Sequence, residues 1–168
     1  MAQALIIRGY CGSGKSTVAK AIAGQQGWAF LEYDTFLWGF NSFKTPKGED
    51  YEITWKNFMS VLSNYVEANK SLVIEGPLVA RTNEDPFSLA KVQALLIAAN
   101  YDLKIIQLRA SDKILHKRMV ARDHIVPTEE QQDFMTKHQA QTLDEEVVID
   151  TSDLNAEKVL AQIMKYLV

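Results

Sequence analysis

A single cysteine, Cys11, is the only thiol in the sequence, so no internal disulfide can form. No apolar run approaches the roughly 20 residues of a membrane span. The opening "ALII" is too short for a secretion signal and no cleavage site follows it. Neither sign of charge dominates: 18 Lys and Arg against 21 Asp and Glu leave a formal net charge of −3. That balance argues against non-specific attraction to nucleic acid or to an anionic membrane. No repeat, low-complexity tract or Pro/Gly/Ser-rich linker divides the chain. His116, His124 and His138 lack a metal-ligand spacing and no cysteine pair accompanies them, so a zinc site is not expected. What remains is one cytoplasmic domain over residues 1–168, long enough to bury roughly 70% of its unfolded surface.

Short apolar runs alternate with segments of helical period. "ALIIR", "WAFLEYD", "SLVIEG", "DLKIIQL" and "EVVID" read as five strands. Between them, Val18, Ala19 and Ile22 share a helical face that Gly24 is expected to close. Trp55, Phe58, Met59, Leu62, Tyr65 and Val66 mark a second helix, and Leu89, Val92, Leu96 and Ala99 a third. Ser111 to Arg122 forms another with Ser111 as N-cap, and Thr128 with Gln131 opens a polar helix reaching about Leu143. Val159, Leu160, Ile163, Met164 and Leu167 line the last. Strands alternating with helices, nearly continuous in apolar character, predict an α/β three-layer sandwich around a five-stranded parallel sheet.

The stretch "RGYCGSGKST" places three glycines within six positions and follows them with a lysine and two hydroxyls. Gly9, Gly14, Lys15 and Ser16 satisfy Gly-x-x-x-x-Gly-Lys-Ser/Thr, a pattern that chance produces in about one chain of this length in 200. It lies between a strand and a helix, as a phosphate-binding loop must. Glycine lets backbone N–H groups wrap phosphate oxygens, and the helix adds its free amides and positive dipole end. Gly9, Cys11, Gly12, Ser13, Gly14, Lys15, Ser16 and Thr17 are therefore candidate nucleotide contacts. Lys15 is expected to reach the β- and γ-phosphates and the Ser16 hydroxyl to ligate Mg²⁺. Cys11 is either a small packing residue or a thiol activated by the helix terminus.

A guanine-reading Asn-Lys-x-Asp is missing, since "NKSL" at Asn69 lacks the aspartate. A motor or AAA-type ATPase normally needs a larger chain and an oligomeric partner domain. The blocks "LIIRGYCGSGKST", "EYD", "VIEG", "LRASDKILHKRMVARD" and "VIDTSDLNAEKV" resemble those of the compact P-loop kinases. That group includes the zeta-toxin-like, chloramphenicol phosphotransferase-like, polynucleotide kinase-like and shikimate or gluconate kinase-like proteins. The resemblance runs from Ala4 to Val168 and is most specific in the phosphate loop. Cys11 departs from it, standing where many relatives have proline.

The resemblance implies ATP and Mg²⁺, and a helical lid over roughly residues 112–142. It implies that Asp34, after the second strand, takes the proton of an acceptor hydroxyl; an N-cap role is the alternative. It places Glu75 near Mg²⁺ or the acceptor, with Gly76 and Pro77 leaving its carboxylate exposed at the sheet edge. An ordinary strand-end carboxylate is the alternative. It implies that Arg118 and Arg122, four apart on one helix face, close over ATP and neutralise the moving phosphoryl group. A solvated face paired with Asp112 or Asp123 competes with that role. "DTSD" stands where relatives wrap adenine, making Asp150 and Ser152 candidate contacts or merely a capped turn. Arg81 grips an acidic acceptor or is a surface arginine. Phe36, Trp38 and Phe40 line an apolar acceptor pocket or pack against the next helix, while Phe43 and Trp55 are expected in the core.

The function expected is an ATP-dependent kinase of a small-molecule hydroxyl, acting as a monomer or homodimer without membrane or extended nucleic-acid partners. Two alternatives stand beside it. One is a kinase of a nucleotide, a nucleotide sugar or a polynucleotide 5′-hydroxyl; the other is an ATP-binding regulator that transfers nothing.

Overall fold

The computed structural model describes residues 1–38, 49–78, 88–121, 143 and 145–167, with the Trp38 side chain excepted. Five strands form one sheet in the order β2-β3-β1-β4-β5, with every neighbouring pair parallel. They are β1 (Gln3–Gly9), β2 (Ala29–Glu32), β3 (Leu72–Gly76), β4 (Asp102–Arg109) and β5 (Glu146–Asp150). The apolar character of β1 follows from its place at the centre. Ala4 and Ile6 face one hydrophobic cluster while Leu5 and Ile7 face another, so alternation is lost.

The first cluster is covered by α2 (Tyr33–Trp38), α3 (Glu49–Glu67) and α4 (Leu89–Ala98) through Tyr33, Phe58, Leu62, Leu89, Val92 and Leu96. The second is covered by α1 (Lys15–Gln26) and α6 (Ala156–Met164) through Val18, Ile22, Val159 and Ile163. A smaller cluster joins Leu115 and Met119 of α5 (Asp112–Val120) to Tyr10 in the glycine-rich loop. The three-layer α/β architecture thus matches the sequence expectation. No helix among the described residues is long and apolar enough to cross a membrane.

Several local expectations need correction. Gly24 does not end α1: it stays helical, and Gly27 closes the helix at φ +66°, its N–H donating to Ala23 O. A left-handed terminal residue satisfies orphan carbonyls, which a mid-helix glycine cannot do. The second strand stops at Glu32, and Tyr33–Trp38 is a short helix rather than irregular loop. Ala99 is an exposed C-cap, not part of the buried stripe of α4. Ser111 caps α5 by position, but its side chain makes no capping hydrogen bond. The polar helix expected over 128–143 lies, except for Leu143, outside the described residues, as do Phe40 and Phe43.

The aromatic residues that bracket the site separate into core and remainder. Phe58 is fully buried and meets the rings of Tyr33 at 5.0 Å, Trp55 at 5.5 Å and Phe36 at 5.8 Å. Phe36 therefore packs against α3, as the packing alternative expected, and Trp55 is core as expected. Phe58→Ala is expected to cost about 3–5 kcal/mol in urea unfolding, because the cavity would open beneath three rings. A cost below about 1 kcal/mol would place the α2–α3 packing elsewhere.

Candidate active site

Gly9 ends β1 where a Cβ would collide with Leu108 O, so its role is close approach of β1 to β4. Gly12 and Gly14 adopt φ of +82° and +92°, backbone that L side chains rarely enter. Gly14 is the N-cap of α1 and supplies no side-chain cap; no acidic residue sits in the first turn. Within the loop, Ser13 N donates to Tyr10 O at 3.1 Å. The amides of Gly14, Lys15, Ser16 and Thr17 have no acceptor among the described residues. An uncapped helix terminus with free, convergent N–H groups is an anion cradle.

Lys15, at the head of α1, is buried, with Nζ 3.2 Å from Glu75 Oε1 and 4.0 Å from Asp34 Oδ2. Asp34 reaches it from the first turn of α2, immediately beyond β2. Glu75 reaches it from β3, paired with Ile7 of β1 on one side and Glu32 of β2 on the other. The expectation of an exposed Glu75 at the sheet edge is therefore wrong. β3 is an interior strand and the Glu75 side chain is fully buried. Neither carboxylate oxygen has a hydrogen-bond partner among the described residues, so the contact to Lys15 is a bare ion pair.

Burial pushes the carboxyls of both Asp34 and Glu75 above the ordinary range, with Lys15 opposing and Glu32 adding repulsion. For Lys15, burial acts downward, but Glu75, Asp34 and Cys11 hold it above its usual value and keep it charged. Cys11 is exposed at the loop, yet loss of hydration pushes its thiol up, against the pull of Lys15. That shift does not favour an activated thiolate.

On the other flank of the loop, a cleft of about 210 Å³ opens between Gly12–Gly14, Thr17, Thr151, Leu154 and Asn155. Arg118 forms its edge. One guanidinium nitrogen, Nη1, donates to Gly12 O at 3.2 Å and Thr151 Oγ1 at 3.0 Å; Nη2 donates to Thr151 O at 2.6 Å. The single Thr151 hydroxyl proton has two acceptors within reach, Arg109 O at 2.9 Å and Ser13 O at 3.2 Å, so one hydroxyl bridges the loop and the end of β4. Of "DTSD", it is Thr151 that lines the cleft. Asp150 Oδ1 accepts from Ser152 N at 2.8 Å and Ser152 Oγ accepts from Ser111 N at 3.0 Å, a capped turn. Nothing in residue type distinguishes Thr151 from its neighbours.

Arg81 and Arg122 lie outside the described residues, as does the side chain of Trp38. Arg109 donates to Gln107 Oε1 at 2.8 Å. Sequence reading also passed over a buried ion pair between Arg8 on β1 and Glu146 on β5, with Nη2 2.7 Å from Oε2. Glu146 Oε2 accepts from Leu143 N as well, which fixes the approach to β5.

A family model described as an AAA domain matches residues 5–144. A search of curated proteins finds no match. Among solved structures, a sugar kinase from Janibacter sp. HTCC2649 superposes with a TM-score of 0.70 at 16% identity, over 99% of this chain and 95% of that one. A gluconokinase from Sinorhizobium meliloti 1021 gives 0.67 at 18% identity, over 98% and 95%. The Mycobacterium tuberculosis APS kinase, in complex with AMPPNP and APS, gives 0.67 at 13% identity, over 99% and 97%. At such identities the likeness shows the fold, which is that of the small P-loop kinases. The family description reads AAA domain, and these three solved structures, which match over nearly the whole chain, are of kinases.

Proposed function

The chain belongs to the AAA domain family, and on that premise we propose that it is an ATP-dependent kinase transferring the γ-phosphoryl group to a hydroxyl of a small molecule. One observation carries this reading: Lys15, at the head of a helix whose first amides are free, holds its ammonium 4.0 Å from the Asp34 carboxylate. A mere phosphate sensor has no need of a carboxylate there, whereas transfer needs an acceptor oxygen held in line.

The roles follow from position. Amides of residues 14–17 bind the phosphate chain, and Lys15 turns from its carboxylate partners toward the anionic oxygens. Asp34 accepts the hydrogen bond of the acceptor O–H and takes its proton as the new O–P bond forms; the bond to the β-phosphate oxygen breaks and ADP leaves. Ser16, in the first turn of α1, and Glu75, whose two buried oxygens lack hydrogen bonds, fit Mg²⁺ or its water shell. When bound, that ion neutralises phosphate charge. Arg118 and Thr151 hold the cleft for the base.

The test measures ADP release from Mg-ATP before and after a pooled metabolite extract is added. Release that rises sharply with extract supports the kinase. ATP binding without extract-dependent release favours a nucleotide-binding regulator instead.

A further inference from the structure

We propose that Gly76 and Tyr33, which touch where β3 ends and α2 begins, are positioning residues that set the gap between the Asp34 and Glu75 carboxylates. The inference rests on the kinase reading of that site. Glu75 and Gly76 are the last two residues of β3, and Tyr33 and Asp34 the first two of α2. A Cβ built on Gly76 would lie 2.7 Å from Tyr33 Cβ and 3.5 Å from Tyr33 Cγ. The first residue of α2 therefore sits directly on the strand, at a distance only glycine permits.

Tyr33 has no room to retreat. Its side chain is buried, edge-on to Phe58 at 5.0 Å and to Trp55 at 5.9 Å. The two residues flanking this contact carry the carboxylates that share one ammonium: Glu75 at 3.2 Å and Asp34 at 4.0 Å from Lys15 Nζ. Strand and helix are thus locked at the point that spaces the two acidic groups. The amide cradle at the head of α1 belongs to other elements.

A methyl group on Gly76 would move the start of α2 outward by about 1 Å to reach ordinary contact, a misplacement of the size that costs roughly 100-fold in rate. Gly76→Ala is compared with Gly24→Ala, the same chemical change at a glycine with open space around it. The expected result for Gly76→Ala is a fall in transfer kcat of about 10- to 100-fold with affinity for a fluorescent ATP analogue within about twofold of the parent. Gly24→Ala is expected to match the parent in both. Loss of nucleotide affinity in parallel with kcat, or no loss of either, overturns the inference.

A crystal structure of Gly76→Ala separates this inference from the kinase reading, because it needs no acceptor. The Asp34–Lys15 separation is expected to lengthen beyond 4.0 Å with the Glu75–Lys15 pair kept. An unchanged separation overturns the positioning role, whatever the enzyme transfers. Should Gly76→Ala not fold, Tyr33→Leu carries the test: the ring anchor is removed, and transfer is expected to fall with analogue affinity kept. Unaltered transfer in that variant counts against the proposal.

Discussion

Lys15→Met is expected to abolish phosphoryl transfer, by roughly 100- to 1,000-fold or more, and also to make stability fall as pH rises. The stability effect arises because Lys15 is the only cation beside Glu75 within salt-bridge distance among the described residues, and the Glu75 side chain is fully buried. Stripped of its partner, a buried carboxylate costs about 3–5 kcal/mol unless it takes up a proton.

The sign follows from the direction of the shift. Burial already holds Glu75 above the ordinary carboxylate range, with Lys15 pulling it down. Without Lys15 the folded-state value rises further above the unfolded one. The stability associated with that proton is fully present below the unfolded value and is lost as pH rises through the raised folded value. Urea midpoints of the variant are therefore expected to approach those of the parent in acid and to fall behind toward neutral and alkaline pH. Adding Glu75→Gln should restore most of the midpoint at neutral pH without restoring transfer. A deficit independent of pH would mean that Glu75 is not the group left uncompensated.

Asp34→Asn is expected to lower kcat by about 100- to 10,000-fold while nucleotide affinity stays within a few-fold. The substitution keeps shape and removes the proton acceptor, so a loss confined to kcat assigns Asp34 to the chemical step. Burial and Glu32 raise the Asp34 carboxyl, and Lys15 only partly offsets them. The acid limb of log kcat in the parent enzyme is accordingly expected above the pH where a solvated aspartate titrates, rate being lost as pH falls through it. Residual transfer in the asparagine variant should lack that limb. An identical limb in both proteins would assign the titration to another group, Glu75 first.

Much of this arrangement was legible in the residues because its signals are local. Five apolar runs became five strands, and Gly-x-x-x-x-Gly-Lys-Ser between a strand and a helix announced the anion cradle. Asp34 was singled out through the resemblance to the compact P-loop kinases, and the structure brings it within 4.0 Å of Lys15. The burial of Glu75 was not legible, because chain order says nothing of sheet order, and the third strand runs between the first and second. Thr151 escaped for a similar reason: its contacts to Ser13, Arg109 and Arg118 join segments far apart in sequence. Gly24 and Gly27 both fit a helix stop, and only backbone conformation distinguishes them. Phe36 was ambiguous between pocket and core until α3 placed Phe58 against it.

The most direct measurement follows the γ-phosphoryl group itself. ATP labelled at that position is incubated with the protein, Mg²⁺ and a metabolite extract, and the labelled products of the parent and of Asp34→Asn are compared by mass. The expected result is one organic species gaining a single phosphoryl group with the parent and almost none with the variant. Label recovered only as inorganic phosphate, or equal labelling by both proteins, would contradict a kinase site built on Lys15 and Asp34.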